Sequence, residues 1–390
     1  MIGPKAYIHS DRLKQNLWNI RRQIGDRMLM VIVKADGYGH GALNIASVLA
    51  GEPGIIFCVF TIAEAKELRE GGISNKILIF SKMHREWLDQ TIEYDLWVNA
   101  SAMDDLKALR EFHNNTGDCP VVHLKFDTGM TRLGFDAGQA DTVYQFLAEN
   151  SNLPVEGIYS HFATADEGDL SFAEFQLKQF NTIVKQGKEA GINFKYTHCS
   201  NSGAVLNLPK SYFNSVRIGM LAYGVAPSDE VSMDVDVEPV MSFCGPIVNI
   251  RRVKPGTQVS YGGVYTTRSD TNIAVVQMGF ADGFPRPWYE NGYVSYQGQH
   301  FKIAGRACMD QFMVDFGDVG PSVGDEVLIF GKKDGNQIPV ESIAEEIRTT
   351  TYVLLTAIHG RTERILLLSL IHISEPTRPL YISYAVFCLK

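Results

Sequence analysis

The sequence has no run of basic residues, and its 36 lysines and arginines are outnumbered by 44 aspartates and glutamates, for a net charge of −8. The phosphate-neutralising footprint of a nucleic-acid binder is therefore missing, which favours a small molecule as partner. No stretch reaches the roughly 18 consecutive apolar residues of a membrane span. The first dozen residues, Met1 through Arg12, contain no apolar core of a secretory signal, so a cytoplasmic protein is expected. Cysteine is sparse: Cys58, Cys119, Cys199, Cys244, Cys308 and Cys388 form no CxxC pair. That spacing argues against a zinc ribbon or dithiol redox site and for reduced thiols. Fixed-period repeats and low-complexity linkers are also absent.

What is present is a globular composition, with 45% apolar and 21% charged residues over 390 positions. From residue 29 to about 225, eight short β-branched runs alternate with segments of helical period. The runs are Leu29–Lys34, Ile55–Phe60, Lys76–Phe80, Leu96–Ala100, Val121–Phe126, Val155–Ser160, Phe194–Cys199 and Ser215–Met220. Helices are expected in Thr61–Gly71, Ser101–His113 and Ser171–Gly191, among others. The pattern predicts an α/β fold with an N-terminal (β/α)8 TIM-type barrel; an open doubly wound sheet is the structural rival. Lys34, Lys125, His161, Asn201, Ser202 and Arg217 fall at or just after the C-terminal ends of these strands, where barrel enzymes build their sites.

After about residue 235 the texture changes to strands without helices between them: Gly245–Val253, Thr257–Thr267, Asn272–Met278, Gly292–Ala304 and Glu326–Phe330, with one helix at Pro339–Arg348. The expected division is a barrel over 1–235, a mainly β C-terminal domain over 236–365 and a tail over 366–390. The tail, with its Ser-Glu-Pro-Thr-Arg-Pro stretch and uncharged apolar end, looks foreign to the domain before it and resembles translated sequencing-adapter read-through.

The most informative segment is Val31-Ile32-Val33-Lys34-Ala35-Asp36-Gly37-Tyr38-Gly39-His40-Gly41. A hydrophobic strand ends in a lysine, and three glycines at alternate positions permit a tight turn around Tyr38. A lysine in a desolvated mouth has a depressed pKa and suits Schiff-base chemistry; for a lysine taken alone, snorkelling from the strand end into water is the default reading. The spacing fits neither a phosphate P-loop nor a dinucleotide fingerprint.

The segment VIVKADGYGHG resembles the pyridoxal-phosphate (PLP) lysine motif of alanine racemases. Further segments agree in order and spacing: HLKFDTGMTRLGF, YSHFATAD, HCSNSGAVLN, SVRIGMLAYG, VSYGGVYT, GFADGFPR and GRACMDQFMVD, so the similarity covers Pro4 to Ile365. The resemblance implies PLP as cofactor and a two-base racemisation of alanine, with Lys34 on one face of Cα and Tyr261 of the partner subunit on the other. His161 and Arg217 would form a chain toward that tyrosine, with Arg217 also against the pyridine nitrogen. The cofactor would be held by Lys34, Tyr38, Asn201, Ser202, Arg217, Gly219, Met220 and Tyr352. Substrate carboxylate would meet Arg132, Met309 and Asp310, and Lys125 would be carbamylated beside Arg132. A homodimer with shared sites and a role in supplying D-alanine for peptidoglycan follow from the same resemblance. No metal is implied.

Two positions depart from the family pattern. Phe280 stands where a tyrosine is usual, and Val353 where an acidic residue is frequent. Asp166, Arg286 and Arg306 fit the remaining positions along the substrate approach. The rival readings are a serine or broad-specificity racemase, a barrel-type PLP decarboxylase disfavoured by Arg217, and a non-catalytic PLP carrier disfavoured by the β domain.

Overall fold

The computed structural model describes residues 3–368. Eight parallel strands, Met28–Ile32, Ile55–Val59, Ile77–Ile79, Val98–Ala100, Val122–Asp127, Val155–Tyr159, Tyr196–His198 and Ser215–Ile218, stand where the eight apolar runs lie. The eighth pairs with the first, Arg217 opposite Met30, so the sheet is not an open one. The ring closes between the third and fourth strands through a bridge of Leu78 and Trp97, whose amide donates to the Ile77 carbonyl at 2.8 Å. Helices alternate with the strands and cover the outside of the ring while inward side chains fill it, so strands such as Ile55–Val59 are buried throughout and read as continuous apolar runs.

The helices start where local chemistry dictates. Helix Ile62–Glu70 opens on a reciprocal box in which Thr61 accepts from the Glu64 amide and Glu64 accepts from the Thr61 amide. Helix Ser171–Glu189 buries Ala173, Gln176, Leu177, Phe180, Ile183, Val184 and Gly187, one face at three- and four-residue spacing. Gln176 is the polar exception on that face, and it is bonded to the loop that carries His161.

The C-terminal part is mainly β and antiparallel, built around the long strand Met241–Val253. That strand pairs with Thr271–Val276 on one side and Glu326–Lys333 on the other, and the sheet returns through Tyr293–Tyr296, Gln299–Ile303 and Phe312–Asp315 to close on itself. Several details differ from the sequence reading. The stretch Thr257–Thr267 is not one strand: Gln258–Val259 and Tyr265–Thr266 form a small ladder around a tight turn at Tyr261–Gly263. Gly292–Ala304 is a hairpin, turned at Gln297-Gly298 with both residues at positive φ. Strands Phe312–Asp315 and Asn336–Ile338 are too short to leave a period.

The chain's first strand, Lys5–His9, joins the β sheet rather than the barrel, between Met241–Val253 and a last strand, Glu363–Leu367. Leu366 and Leu367, expected to open the foreign tail, are therefore integral: they pair with Ile8 and His9. The rest of that tail, from residue 369, lies outside the described residues. One apolar core runs from barrel helices into the β sheet, including Ile45, Leu68, Tyr223, Phe330, Ile343 and Leu355.

A chain ended after Leu368 is expected to melt with the full-length protein, whereas one ended after Thr362 loses the last strand. Differential scanning calorimetry should show the shorter chain melting at least ~5 °C lower.

Candidate active site

The lysine sits on an unusual piece of backbone. After strand Met28–Ile32, residues Ala35, Asp36, Gly37 and Tyr38 have φ of 50°, 53°, 61° and 51°, a single left-handed helical turn. Each non-glycine residue so placed costs about 1–2 kcal/mol, so surrounding contacts must hold it. Glu64 accepts from the Ala35 amide at 2.7 Å, and Asp36 accepts from the Ala42 amide at 2.8 Å. His40 Nδ1 lies 3.0 Å from the carbonyls of Gly37 and of Tyr38, so that nitrogen carries the proton. Gly39 has no alternative: a Cβ there would fall 2.1 Å from the Leu355 carbonyl oxygen. The Lys34 ammonium is held below the usual lysine range, first by burial and then by Arg132, with Glu64 opposing.

Behind the lysine, Arg217 on the eighth strand is buried and makes five hydrogen bonds. Nη1 donates to His198 Nδ1 at 2.8 Å and to the His198 carbonyl. Nη2 donates to His161 Nδ1 at 3.0 Å and to the carbonyls of Ser160 and Cys199. A guanidinium only donates, so both imidazoles must accept through Nδ1 and carry hydrogen on Nε2. His198 Nε2 then donates to His123 Nδ1 at 3.0 Å, and the chain ends at His123 Nε2, which has no partner. Burial, then the cation of Arg217, keeps His161 and His198 well below the ordinary histidine pKa and lowers His123 to about 3. All three imidazoles are neutral. None of the five bonds uses Arg217 Nε.

The mouth is strongly cationic. Burial, followed by Arg132 and Arg217, lowers the Lys125 ammonium to about 8, with Asp127 opposing and Lys34 adding to the shift. Lys125 is buried and makes no ion pair among the described residues. Asp127 is committed elsewhere: it accepts from the amides of Gly129 and Arg132, at 2.8 Å each, and so shapes the loop that carries Arg132. Burial raises the Asp127 carboxyl, but these and the neighbouring Thr131 and Met130 amides hold it below its usual value.

A phosphate needs hydroxyl and backbone N–H donors. Ser202 Oγ accepts from the amides of Gly219 and Leu221, drawing the last two barrel loops together. A Cβ on Gly219 would lie 3.2 Å from the Tyr38 hydroxyl, which places that phenol over bare backbone. Tyr352 lies near enough to add to burial in raising Tyr38 to about 12. Asn201 serves differently, capping helix Ser202–Asn207 by accepting from the Ala204 amide at 2.9 Å. Phenol, hydroxyl and backbone donors beside a lysine fit PLP.

Of the β-domain residues, Tyr352 reaches this mouth within one chain, but Tyr261 and Asp310 do not. Tyr261, 71% exposed, lines an open cleft with Ser260, Cys308, Asp310 and Gln311, and no barrel residue contributes. Its turn is strained, with Ser260 at φ 65° tied to the Arg306 carbonyl by a 2.6 Å bond. Met309 and Phe280 are also exposed, and the Arg286 guanidinium lies 5.7 Å from the Phe280 ring centroid. Sequence reasoning missed His198, His123, Glu64 and the arginine pair Arg361 and Arg364. His198 had a usable signal, since it ends a barrel strand inside a quoted motif; Glu64 and the arginines had none.

A barrel with a lysine-centred cationic mouth, joined to a β domain that displays a tyrosine turn, defines an enzyme of small anionic ligands. Comparison narrows the class. The family described as alanine racemase, N-terminal domain, matches residues 8–227, and alanine racemase, C-terminal domain, matches 240–366. An alanine racemase of Desulforamulus reducens is 36% identical over 366 residues, covering 92% of this chain and 98% of that one. Alanine racemase 2 of Caldanaerobacter subterraneus subsp. tengcongensis is 36% identical, over 93% and 94% of the two chains. Among solved structures, the alanine racemase of Clostridium difficile 630 superposes with a TM-score of 0.88 at 34% identity, over 94% and 96% of the chains. The Bacillus anthracis enzyme with bound L-Ala-P gives 0.85 at 29%, again over 94% and 96%. The chain belongs to the alanine racemase family and is an isomerase.

Capture of PLP by the apo-protein requires neutral Lys34, so it rises as pH passes upward through the lysine's pKa. The visible absorbance of bound cofactor is expected to give a midpoint below that of free lysine. Arg132→Met should move it up and Glu64→Gln should move it down.

Proposed function

We propose that the protein interconverts L- and D-alanine as a cytoplasmic homodimer with PLP, supplying D-alanine for peptidoglycan. The observation that carries this reading is the lysine beside its left-handed turn, in a mouth where Arg217 and Arg132 are cations and burial keeps the neighbouring His161 neutral. Such a mouth suits a ligand with a phosphate and a carboxylate. Tyr38, Tyr352, Ser202 and the backbone of Gly219 and Met220 would hold the phosphate, Asn201 would support the helix beneath it, and Lys34 would hold the cofactor through its amine. PLP, when bound, delocalises the electron pair left at the substrate Cα.

The chain's own residues supply the rest. Lys34 exchanges the Cα proton on one face, and Tyr261 of the partner subunit exchanges it on the other. A free tyrosine is a poor base near neutral pH. The Nε2–H of His161, left free because Nδ1 accepts from Arg217, is the donor that would stabilise the partner's phenolate. A permanent cation at Arg217 Nε cannot readily hand the pyridine nitrogen a proton, which disfavours side reactions such as transamination. Arg132 would receive the substrate carboxylate together with the backbone at Met309 and the adjacent Asp310.

Exposed Tyr261, Val264, Phe280 and Met309 on the β domain, and Phe60, Tyr352 and Val353 beside the barrel mouth, are the apolar surface a second subunit would cover. Chiral analysis of L-alanine incubated with enzyme and PLP is expected to show D-alanine approaching equal amounts. D-serine from a parallel L-serine reaction, or no D-alanine, would contradict the reading. Tyr261→Phe should keep the bound-cofactor absorbance while losing at least ~100-fold in racemisation.

A buried lysine lowered to about 8 with no carboxylate partner presents neutral amine at mildly alkaline pH, the form that adds carbon dioxide. Lys125 is therefore expected to be carbamylated, its new carboxylate then pairing with Arg132. With 13C-bicarbonate, NMR should show one carbamate signal that Lys125→Ala abolishes; a wild-type spectrum without it would refute the modification.

A further inference from the structure

Arg361, in the turn before the last strand, and Arg364, on that strand, lie three residues apart and reach in different directions. Arg364 forms an ion pair with Asp36 at 2.7 Å and donates to the carbonyls of Gly39, at 2.8 Å, and Ile358, at 2.9 Å. Its fork thus reaches Asp36, inside the left-handed turn over Ala35–Tyr38, and Gly39, just after it. Arg361 pairs with Asp310 at 2.8 Å and with Asp282 at 2.9 Å. Asp282 is buried, accepts from the Gly279 amide, and has its own carbonyl bonded by Thr362. The turn at 279–281 is in turn bonded to the carbonyls of Cys308 and Met309. Arg361 therefore fixes the loop of Met309 and Asp310, as Arg364 fixes the lysine turn.

We propose that Arg361 and Arg364 are positioning residues for two different active sites of the dimer: Arg364 for its own subunit's cofactor lysine, and Arg361 for the substrate loop offered to the partner. This rests on the shared-site reading above. Two observations separate it from a merely structural role. The Arg361–Asp310 pair is half exposed, and pairs of that kind contribute little to stability, whereas the Asp282 pair anchors the guanidinium on a buried carboxylate; the Asp310 contact therefore serves to place that loop. The Lys34 turn is strained, and Arg364 joins Glu64 at Ala35 and the Asp36–Ala42 bond in holding it, from a strand of the other domain.

The test compares Arg364→Met and Arg361→Met with the wild type, reading PLP affinity of the apo-protein by visible absorbance and then KM and kcat at saturating PLP. Arg364→Met is expected to weaken PLP binding about 10-fold or more while leaving KM for alanine within about 2-fold, and Asp36→Asn should repeat the direction should Arg364→Met fold poorly. Arg361→Met is expected to bind PLP as the wild type does and to raise KM about 10-fold, with Arg361→Lys partly restoring it. Wild-type PLP affinity in both Arg364→Met and Asp36→Asn, or wild-type KM in Arg361→Met, would overturn the assignment.

A mixed dimer of one Lys34→Ala and one Arg361→Met subunit, isolated by two tags, reads the crossing. Its one competent lysine faces an intact Arg361 loop only if the loop acts across the interface. Wild-type KM at about half the kcat supports the proposal, and the raised KM of the Arg361→Met homodimer contradicts it. An enzyme that fails to racemise alanine at all would instead refute the functional reading, and the PLP-affinity comparison would still decide the role of Arg364.

Discussion

A guanidinium that can donate but never accept sits at the centre of the barrel, and its neighbours take their protonation states from it. Moving such a charge from water into protein costs several kcal/mol unless its donors are satisfied. Arg217 meets that demand with three carbonyls and two imidazoles. Because the direction of each bond is forced, His161 must present Nε2–H to the mouth and His198 must pass its own Nε2–H back to His123. One residue thereby fixes a hydrogen-bond chain that spans the strand ends of Val122–Asp127, Val155–Tyr159, Tyr196–His198 and Ser215–Ile218.

The second constraint is backbone strain beside this chain. A left-handed turn sets Lys34 and Tyr38 at the mouth, and it persists because contacts from helix Ile62–Glu70 and from strand Glu363–Leu367 close on it. The C-terminal end of the described chain is thus part of the architecture of the site near its N-terminal end. The first strand makes the connection physical, since Lys5–His9 lies parallel to Glu363–Leu367 and feeds, through one helix, the strand before the lysine. Fold and site are coupled where the first and last strands of the described residues meet.

The eight barrel strands were legible because parallel strands with both faces covered must be apolar along their length, as Ile55–Val59 and Ile77–Ile79 are. Lys34, His161 and Arg217 stood out as polar residues ending such runs. Lys5–His9 was not legible as a partner of Glu363–Leu367, because pairing over the whole length of the chain leaves no local period. Nor was the split of Thr257–Thr267, where Gly262 and Gly263 permit the positive φ that turns Tyr261 outward. The Arg361 and Arg364 pair carries no motif of its own; its meaning comes from what Asp36, Asp282 and Asp310 do after folding. Leu366 and Leu367 were misassigned for a related reason, since the apolar run Ile365 to Leu368 crosses the expected boundary and marks no end of the strand.

The most direct measurement of the central claim is the 15N NMR spectrum of the histidine side chains in the cofactor-free protein between pH 6 and 9. A donor-only Arg217 predicts that His161, His198 and His123 remain neutral throughout, each with hydrogen on Nε2. A charged imidazole among the three, or an Nδ1–H tautomer at His161 or His198, would contradict it, because Arg217 would then have no acceptor there.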